Sequence, residues 1–373
     1  MKRFPIVILL LASSLFITGK SAAQNVAGVV ITVEGVPVSD ALVFVANTSI
    51  STSTNDEGAF ALTVPDLGSF NVVAVTSNES LGVVTVFPDS EPNLSITLSP
   101  KPEMAAASTS ALTREELLDF FESTTFSRTK NAEDIEIGNT DNLILNHDAS
   151  TNIISVSSST PFTFRNNALG YEITIYDFQM GGNQVAFGWS GYAFFSKLEA
   201  PKAKNQKTWD KNREKTYKGS QRHFLKAIAD EKLKKEEFAA FFVQGPGSQD
   251  DHSPVLEAGL RSVYGAPQPI MFNGKTDSSK RLDFTGWLRI QFYGSGSDNR
   301  WERYIERFWP ISELSEMMKT QSNISFIQLP EYQAVFNAGG IVWPTQAPSI
   351  QTMGYWSFSR LADTLPIDWA SEK

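Results

Sequence analysis

Between residues 24 and 99 the chain repeats one pattern: a short apolar run, then a turn, every 8–12 residues or about that spacing. The runs fall at 26–33, 41–46, 60–62, 70–75, 81–87 and 94–98. Turn sequences separate them, notably Gly35-Val36-Pro37-Val38-Ser39-Asp40 and Thr54-Asn55-Asp56-Glu57-Gly58. Asn and Asp side chains close such turns on their own backbone, and glycine supplies positive φ. About seven strands this short bury their apolar sides by packing two sheets face to face, so the pattern predicts a β-sandwich.

What holds such a sandwich together is narrowed by composition. The chain has 373 residues, 41% of them apolar, enough for two domains with cores. It has no cysteine, which removes disulfides, thiolate metal sites, cysteine nucleophiles and acylated cysteines. Three histidines leave little room for a histidine-rich metal site. The N-terminus reads as a bacterial-type secretory signal over residues 1–23: Lys2 and Arg3, an apolar run at 6–17, then Ser21-Ala22-Ala23 before a cut near Gln24. A retained anchor is the alternative, but Lys20 follows the apolar run too closely to suit it. Removing Lys2, Arg3 and Lys20, with no acid, takes the net charge from −9 to −12. No later run reaches about 18 uninterrupted apolar residues, so no spanning helix is expected.

Residues 24–100 contain eight acids and no Lys or Arg. They read as an acidic soluble surface or, at Asp56-Glu57, as a calcium site. Hard cations want several clustered carboxylates, and only two stand together here.

A proline-containing stretch of small residues at 100–112 reads as a linker to a second domain at 113–373. Thr113 and Glu116 have capping-box spacing ahead of Leu117, Phe120 and Phe121, which predicts a short helix. Strands follow: a hairpin of 142–146 with 153–156 around His147-Asp148, then 161–175 with Tyr171, Ile173 and Ile175 on one face, then 184–198. Further strands are expected at 282–292 and 324–329, with 301–308 either strand or helix. Leu361 and Leu365 suit a short helix that Pro366 ends.

The one long helical pattern runs from 209 to 238. Ser220 suits an N-cap, and Leu225, Ile228, Ala229 and Leu233 define an apolar face. On a regular helix His223 falls nearly opposite that face, so it is either solvated or meets something other than the main core. Residues 202–235 carry twelve Lys/Arg against four Asp/Glu. That excess reads as a solvated face, or as a surface docking on the acidic first domain or on anionic outer-membrane lipid or polysaccharide. Nucleic acid suits the patch but not an acidic, exported chain. The candidate interaction residues are Trp209, Asn212, Arg213, Tyr217, Arg222 and His223.

No catalytic residue, metal or cofactor is expected. His-Glu-x-x-His, P-loop and dinucleotide patterns are missing. Gly188-Trp189-Ser190-Gly191-Tyr192 ends in Tyr where a nucleophile elbow needs Gly. Gln249-Asp250-Asp251-His252 has metal-binding side chains but follows the loop-forming Gly245-Pro246-Gly247. Paired carboxylates for glycoside hydrolysis are spatial, so sequence leaves them open.

Two stretches carry a family likeness. Gly28, Gly35-Val36-Pro37-Val38 leading into Ala41-Leu42-Val43, and Thr54-Asn55-Asp56-Glu57-Gly58-Ala59-Phe60 resemble the carboxypeptidase regulatory-like domain. That resemblance implies a non-catalytic, transthyretin-like sandwich of seven strands, grouped with carbohydrate-binding-like folds; Phe70 stands where the family often has tyrosine. Further on stand Asn166-x-x-Leu169-Gly170-Tyr171, Gly191-Tyr192-x-Phe194-Phe195 and Trp209-x-x-Asn212-Arg213-x-x-x-Tyr217-x-Gly219-Ser220-x-x-His223-Phe224-Leu225, with Gly354-Tyr355-Trp356 and Leu365-Pro366 near the end. Together these resemble bacterial envelope proteins described as carboxypeptidase-like regulatory domain-containing, over most of residues 25–370. Here Glu236-Glu237-Phe238 replaces the usual glycine.

The expectation is a mainly β chain: an N-terminal seven-stranded β-sandwich, then a β-rich α+β domain with one longer helix. It is expected to be a non-enzymatic exported cell-envelope protein, binding or scaffolding through its sandwich, with an envelope protein, a glycan or an anionic surface as partner. Its place would be the periplasm, the outer membrane or the exterior. The alternative is a hydrolase of envelope glycans or peptides built on carboxylates or His223.

Overall fold

A computed structural model describes residues 23–77, 80–87, 90, 93–100, 110, 112–126, 128–183, 187–243, 271–273, 279–294, 300–308, 323–329, 333–337, 339–343 and 350–371. Residues 1–22 of the expected secretory segment (1–23), most of the linker and the Gln249-Asp250-Asp251-His252 run lie outside the described residues.

The chain is mainly β and opens with the sandwich. Its strands are β1 Gln24–Ile31, β2 Leu42–Val45, β3 Ser51–Ser53, β4 Ala59–Val64, β5 Phe70–Val75, β6 Leu81–Val86 and β7 Asn93–Thr97. One sheet has the order β4-β1-β7 and the other β3-β2-β5-β6. Alternation decides the faces. Along β4, Phe60, Leu62 and Val64 are buried while Ala61 and Thr63 are exposed. The buried set meets Val26, Val30, Val43, Val45 and Val72 in a single core.

The next unit begins with α1 Arg114–Thr125, whose Thr113–Glu116 capping box forms as the spacing predicts. Its sheet contains β8 Ile135–Ile137, β9 Leu143–Asp148, β10 Ile153–Ser158, β11 Phe162–Asn166, β12 Tyr171–Gly182 and β13 Phe187–Lys197. β12 is long enough to pair along one edge with β11 and then with β10, and along the other with β13. Leu117 and Phe121 of α1 join Phe162, Phe164 and Phe178 in the core beneath it. The hairpin turn falls at 149–152 rather than at His147-Asp148: His147 pairs with Ile154, and Asp148 turns back to bond Ser150 and Thr151.

Two helices follow, α2 Ala203–Tyr217 and α3 Gln221–Ala229, then β14 Phe238–Val243. The expected single helical stretch of 209–238 is therefore broken at Lys218-Gly219, where Gly219 takes φ +75, and its last residue already belongs to a strand. Beyond come β15 Met271–Asn273, β16 Ser279–Asp283, β17 Trp287–Phe292, α4 Arg300–Phe308, β18 Ile324–Gln328, β19 Gln333–Asn337, β20 Val342–Trp343, β21 Gln351–Gly354 and α5 Tyr355–Phe358. They form two four-stranded sheets, β14-β17-β18-β21 and β15-β16-β19-β20. Both sheets and α3 share one core, in which Phe224, Leu225 and Ile228 meet Leu282, Phe336, Leu288 and Ile290. The expected strand at 282–292 is thus two strands in different sheets, parted near Gly286 at φ +83. Leu361–Asp363 forms a short 3-10 turn where a helix was expected.

The sandwich is not a bead on a linker. Every residue of β5 is buried. Val72 and Ala74 face the sandwich core. Val73 and Val75 face outward, where with Phe44 they pack on Tyr176, Tyr192 and Phe194 of β12 and β13. The Phe44 ring lies 5.3 Å from those of Tyr176 and Phe194. Backbone bonds cross the same seam, from Asn47 N–H to Ala193 O (2.6 Å) and from Phe195 N–H to Thr48 O (2.9 Å).

Candidate functional site

The six residues singled out in sequence divide into two groups. Trp209, Asn212 and Arg213 are spaced i, i+3, i+4, so α2 presents them on one face. That face reads the loop after β11. Trp209 Nε1 donates to Asn167 O (2.7 Å), Asn212 Nδ2 to Ala168 O (2.8 Å), and Arg213 Nε to Leu169 O (2.8 Å). Arg213 also reaches Gly170 O (3.4 Å) and lies 4.3 Å over the Tyr171 ring. Three side chains thereby reach four successive carbonyls; Gly170 O also accepts from Leu198 N–H (3.1 Å), and for the other three the helix supplies the donors that a loop pressed against it needs. These three residues dock α2.

Tyr217, Arg222 and His223 gather instead at the elbow between α2 and α3. Ser220 is the N-cap of α3, as expected, and its hydroxyl accepts from His223 N–H (3.2 Å). Arg222 donates to the carbonyls of Gly339 (3.3 Å), Pro366 (3.1 Å), Ile367 (2.8 Å) and Trp369 (2.7 Å), and so straps the C-terminal segment to α3. Tyr217 is buried between His223 and Trp369, and burial pushes its pKa up to about 12.

His223 is neither solvated nor clear of the main core. It is 7% exposed, and its ring lies 4.9 Å from that of Phe238 and 5.9 Å from that of Phe292, both core residues. Helical periodicity placed it opposite the apolar face correctly, but the chain folds back over that side through Glu236 and β14. Its Nδ1 accepts from Gly219 N–H (3.1 Å), and its Nε2 lies 3.2 Å from Glu236 Oε2. A backbone N–H only donates, so the neutral ring carries its proton on Nε2 and donates it to Glu236. Burial lowers the pKa of His223 from the ordinary 6.5, and Glu236 partly opposes that shift.

Beside the elbow lies a cleft of about 420 Å³. α2 and the elbow supply Lys215, Tyr217 and Lys218, and α3 begins there with Ser220, Gln221 and Arg222. The opposite walls come from Thr129-Lys130-Asn131, the Gly340-Ile341-Val342 turn and the segment from Tyr355 to Ile367. Gly340 presses so closely on α3 that a Cβ there would lie 2.8 Å from Lys226 N. Five lining residues are cations (Lys130, Lys215, Lys218, Arg222 and Arg360) and one, Asp363, is a carboxylate. Asp363 accepts from the Thr129 hydroxyl (2.9 Å) and the Asn131 amide (2.8 Å). The bonds of Arg222 go to carbonyls, which satisfy its N–H groups; the Asp368 carboxylate nearby offsets part of its charge. Lys215 and Lys218 are exposed at the rim. The first N–H groups of α3 add positive potential to the same wall.

This arrangement suits holding an anion better than attacking a bond. The Ser220 hydroxyl caps a helix and the nitrogens of His223 face Gly219 and Glu236, so the two do not form a nucleophile–base pair. Among the described residues no three His, Asp or Glu side chains cluster as metal ligands. Lys130, Gly340, Arg360 and Asp363 were not foreseen, because they reach the cleft from segments far apart in the chain. The available signals were the Gly354-Tyr355-Trp356 and Leu365-Pro366 motifs: Trp356 Nε1 donates to Gly219 O at the elbow (2.7 Å), Leu365 lines the cleft and Pro366 O accepts from Arg222.

The chain matches no protein-family model and no curated protein.

Proposed function

We propose that the protein is an exported, non-enzymatic component of a bacterial cell envelope that binds an anionic glycan in the cleft beside the α2–α3 elbow. One observation carries the reading: five cations and a single engaged carboxylate surround a cleft in a chain whose net charge is −9. Positive charge concentrated against an acidic background selects anionic partners and focuses the field where the walls are least hydrated. The sandwich, which resembles a carboxypeptidase regulatory-like domain in its turn motifs, serves as a brace. The outer face of its larger sheet is spent on β12 and β13. A hydrolase built on His223 has less support, since both ring nitrogens are engaged within the protein.

The test is equilibrium binding of the mature protein, residues 24–373, to oligogalacturonate and to a neutral oligosaccharide of equal length. The expected result is binding of the oligogalacturonate alone, weakening as salt rises. Equal binding of the neutral sugar, or no binding of the acidic one, would sink the reading.

A further inference from the structure

The contact between His223 and Gly219 has a property its neighbours lack: it exists in only one protonation state. Gly219 N–H donates to Nδ1 at 3.1 Å. The other ring nitrogen already carries a proton toward Glu236. A second proton, taken from solvent, can go only to Nδ1, and the imidazolium then presents N–H where an acceptor stood. Donor then faces donor, and the contact is lost.

The elbow has little slack to absorb that loss. Gly219 is buried at φ +75, and a Cβ on it would lie 2.6 Å from the Phe292 ring, so β17 blocks movement inward. Its carbonyl is held by Trp356 Nε1. The charged and titratable groups around His223 are Glu236 from the segment after α3, Glu214 and Tyr217 from α2, and Lys218 from the elbow. β14 and β17 present Phe238 and Phe292. Glu236 draws the imidazolium away from Gly219, and Lys218 repels it.

We propose that His223 is a proton-sensitive latch on the cleft: protonation at Nδ1 releases Gly219 and opens the elbow that carries Lys215 and Lys218. The consequence for a ligand, release in an acid compartment, rests on the anion-binding reading above; the opening itself does not. Because burial lowers the pKa of His223 from the ordinary 6.5, the latch is closed at neutral pH and opens only as pH falls below that ordinary value.

The experiment measures amide hydrogen-exchange protection of residues 217–222 in the mature protein from pH 7.5 to 4.5, relative to unstructured peptide rates, alongside a nitrogen-15 histidine titration. Protection should fall at least tenfold, with the midpoint of the His223 ring titration. In His223→Asn, Oδ1 stands where Nδ1 stood and does not titrate, so protection should stay level across the range. Level protection in the wild-type protein, a midpoint unlike that of His223, or an Nδ1-protonated ring at neutral pH would each overturn the latch. Those wild-type readings decide the matter even if the variant fails to fold. Binding of oligogalacturonate is followed in parallel. If the elbow opens with His223 but that probe binds at no pH, the latch stands and the anion-binding reading falls.

Discussion

Asp368 reaches back 319 positions to Ser49, accepting from its amide (2.9 Å) and from its hydroxyl (2.6 Å). Next to it, Ile367 N–H donates to Asn47 O (2.8 Å). The end of the described chain thus closes on a turn of the sandwich. Asp368→Ala removes both acceptors and leaves Ser49 to water, at a cost of about 1–2 kcal/mol for a partly buried carboxylate. Thermal unfolding should show a lower midpoint, and an unchanged one would mean the contact does not form in solution.

Arg222→Lys keeps the charge but not the fork. A lysine has one nitrogen to offer where Arg222 spans Pro366, Ile367 and Trp369. The variant should lose about 2 kcal/mol in denaturant unfolding. Protease should also reach the C-terminal segment sooner, and wild-type resistance would show that the strap is held by other contacts.

Phe44→Ala opens a hole between two units rather than inside one. Phe44 is 0% exposed between Tyr176 and Phe194. The expected cost is about 3–5 kcal/mol. Calorimetry should resolve a weakened or separated sandwich transition, whereas a loss under about 1 kcal/mol would mean the seam is loose in solution.

Lys215→Glu with Lys218→Glu reverses two exposed charges at the cleft rim. Stability should stay within about 0.5 kcal/mol of wild type, as for surface substitutions generally. Affinity for oligogalacturonate should drop at least tenfold and depend less steeply on salt. Retained affinity would place the anion elsewhere.

Asp148 gives a pH prediction with a definite sign. The Ser150 hydroxyl and amide and the Thr151 hydroxyl hold its carboxyl at about 2, below the ordinary 3.8. The folded state therefore favours the charged form. Whatever Asp148 adds to stability is present above the ordinary value and lost as pH falls from there toward 2. A carbon-13 carboxyl titration should show the depressed value, and Ser150→Ala should raise it.

The sandwich was legible because short apolar runs between turn residues mark most of its strands: the expected run at 70–75 matches β5 residue for residue, whereas the polar β3, Ser51–Ser53, left no such mark. The caps at Thr113 and Ser220 were legible because they are local. The Ser220 cap marked where α3 begins; what the sequence left unread was that the residues before Lys218 form a helix of their own, α2, whose polar run has only Trp209, Arg213 and Tyr217 buried. The burial of His223 was out of reach, because two other stretches cover it, Glu236-Glu237-Phe238 and Phe292 of β17. The cleft was least legible of all. Its basic rim showed as a charge excess over 202–235, but the walls opposite come from turns with no periodicity of their own.

The double burial of β5 has a consequence for how the protein is made. Val73 and Val75 leave the ribosome well before Tyr176, Tyr192 and Phe194, which are translated roughly 100 residues later. Through that interval the sandwich, complete in its own strands, carries a bare apolar face. A nascent chain in that state is a natural client for a holding chaperone, and a truncation that ends before β12 would leave the face bare for good.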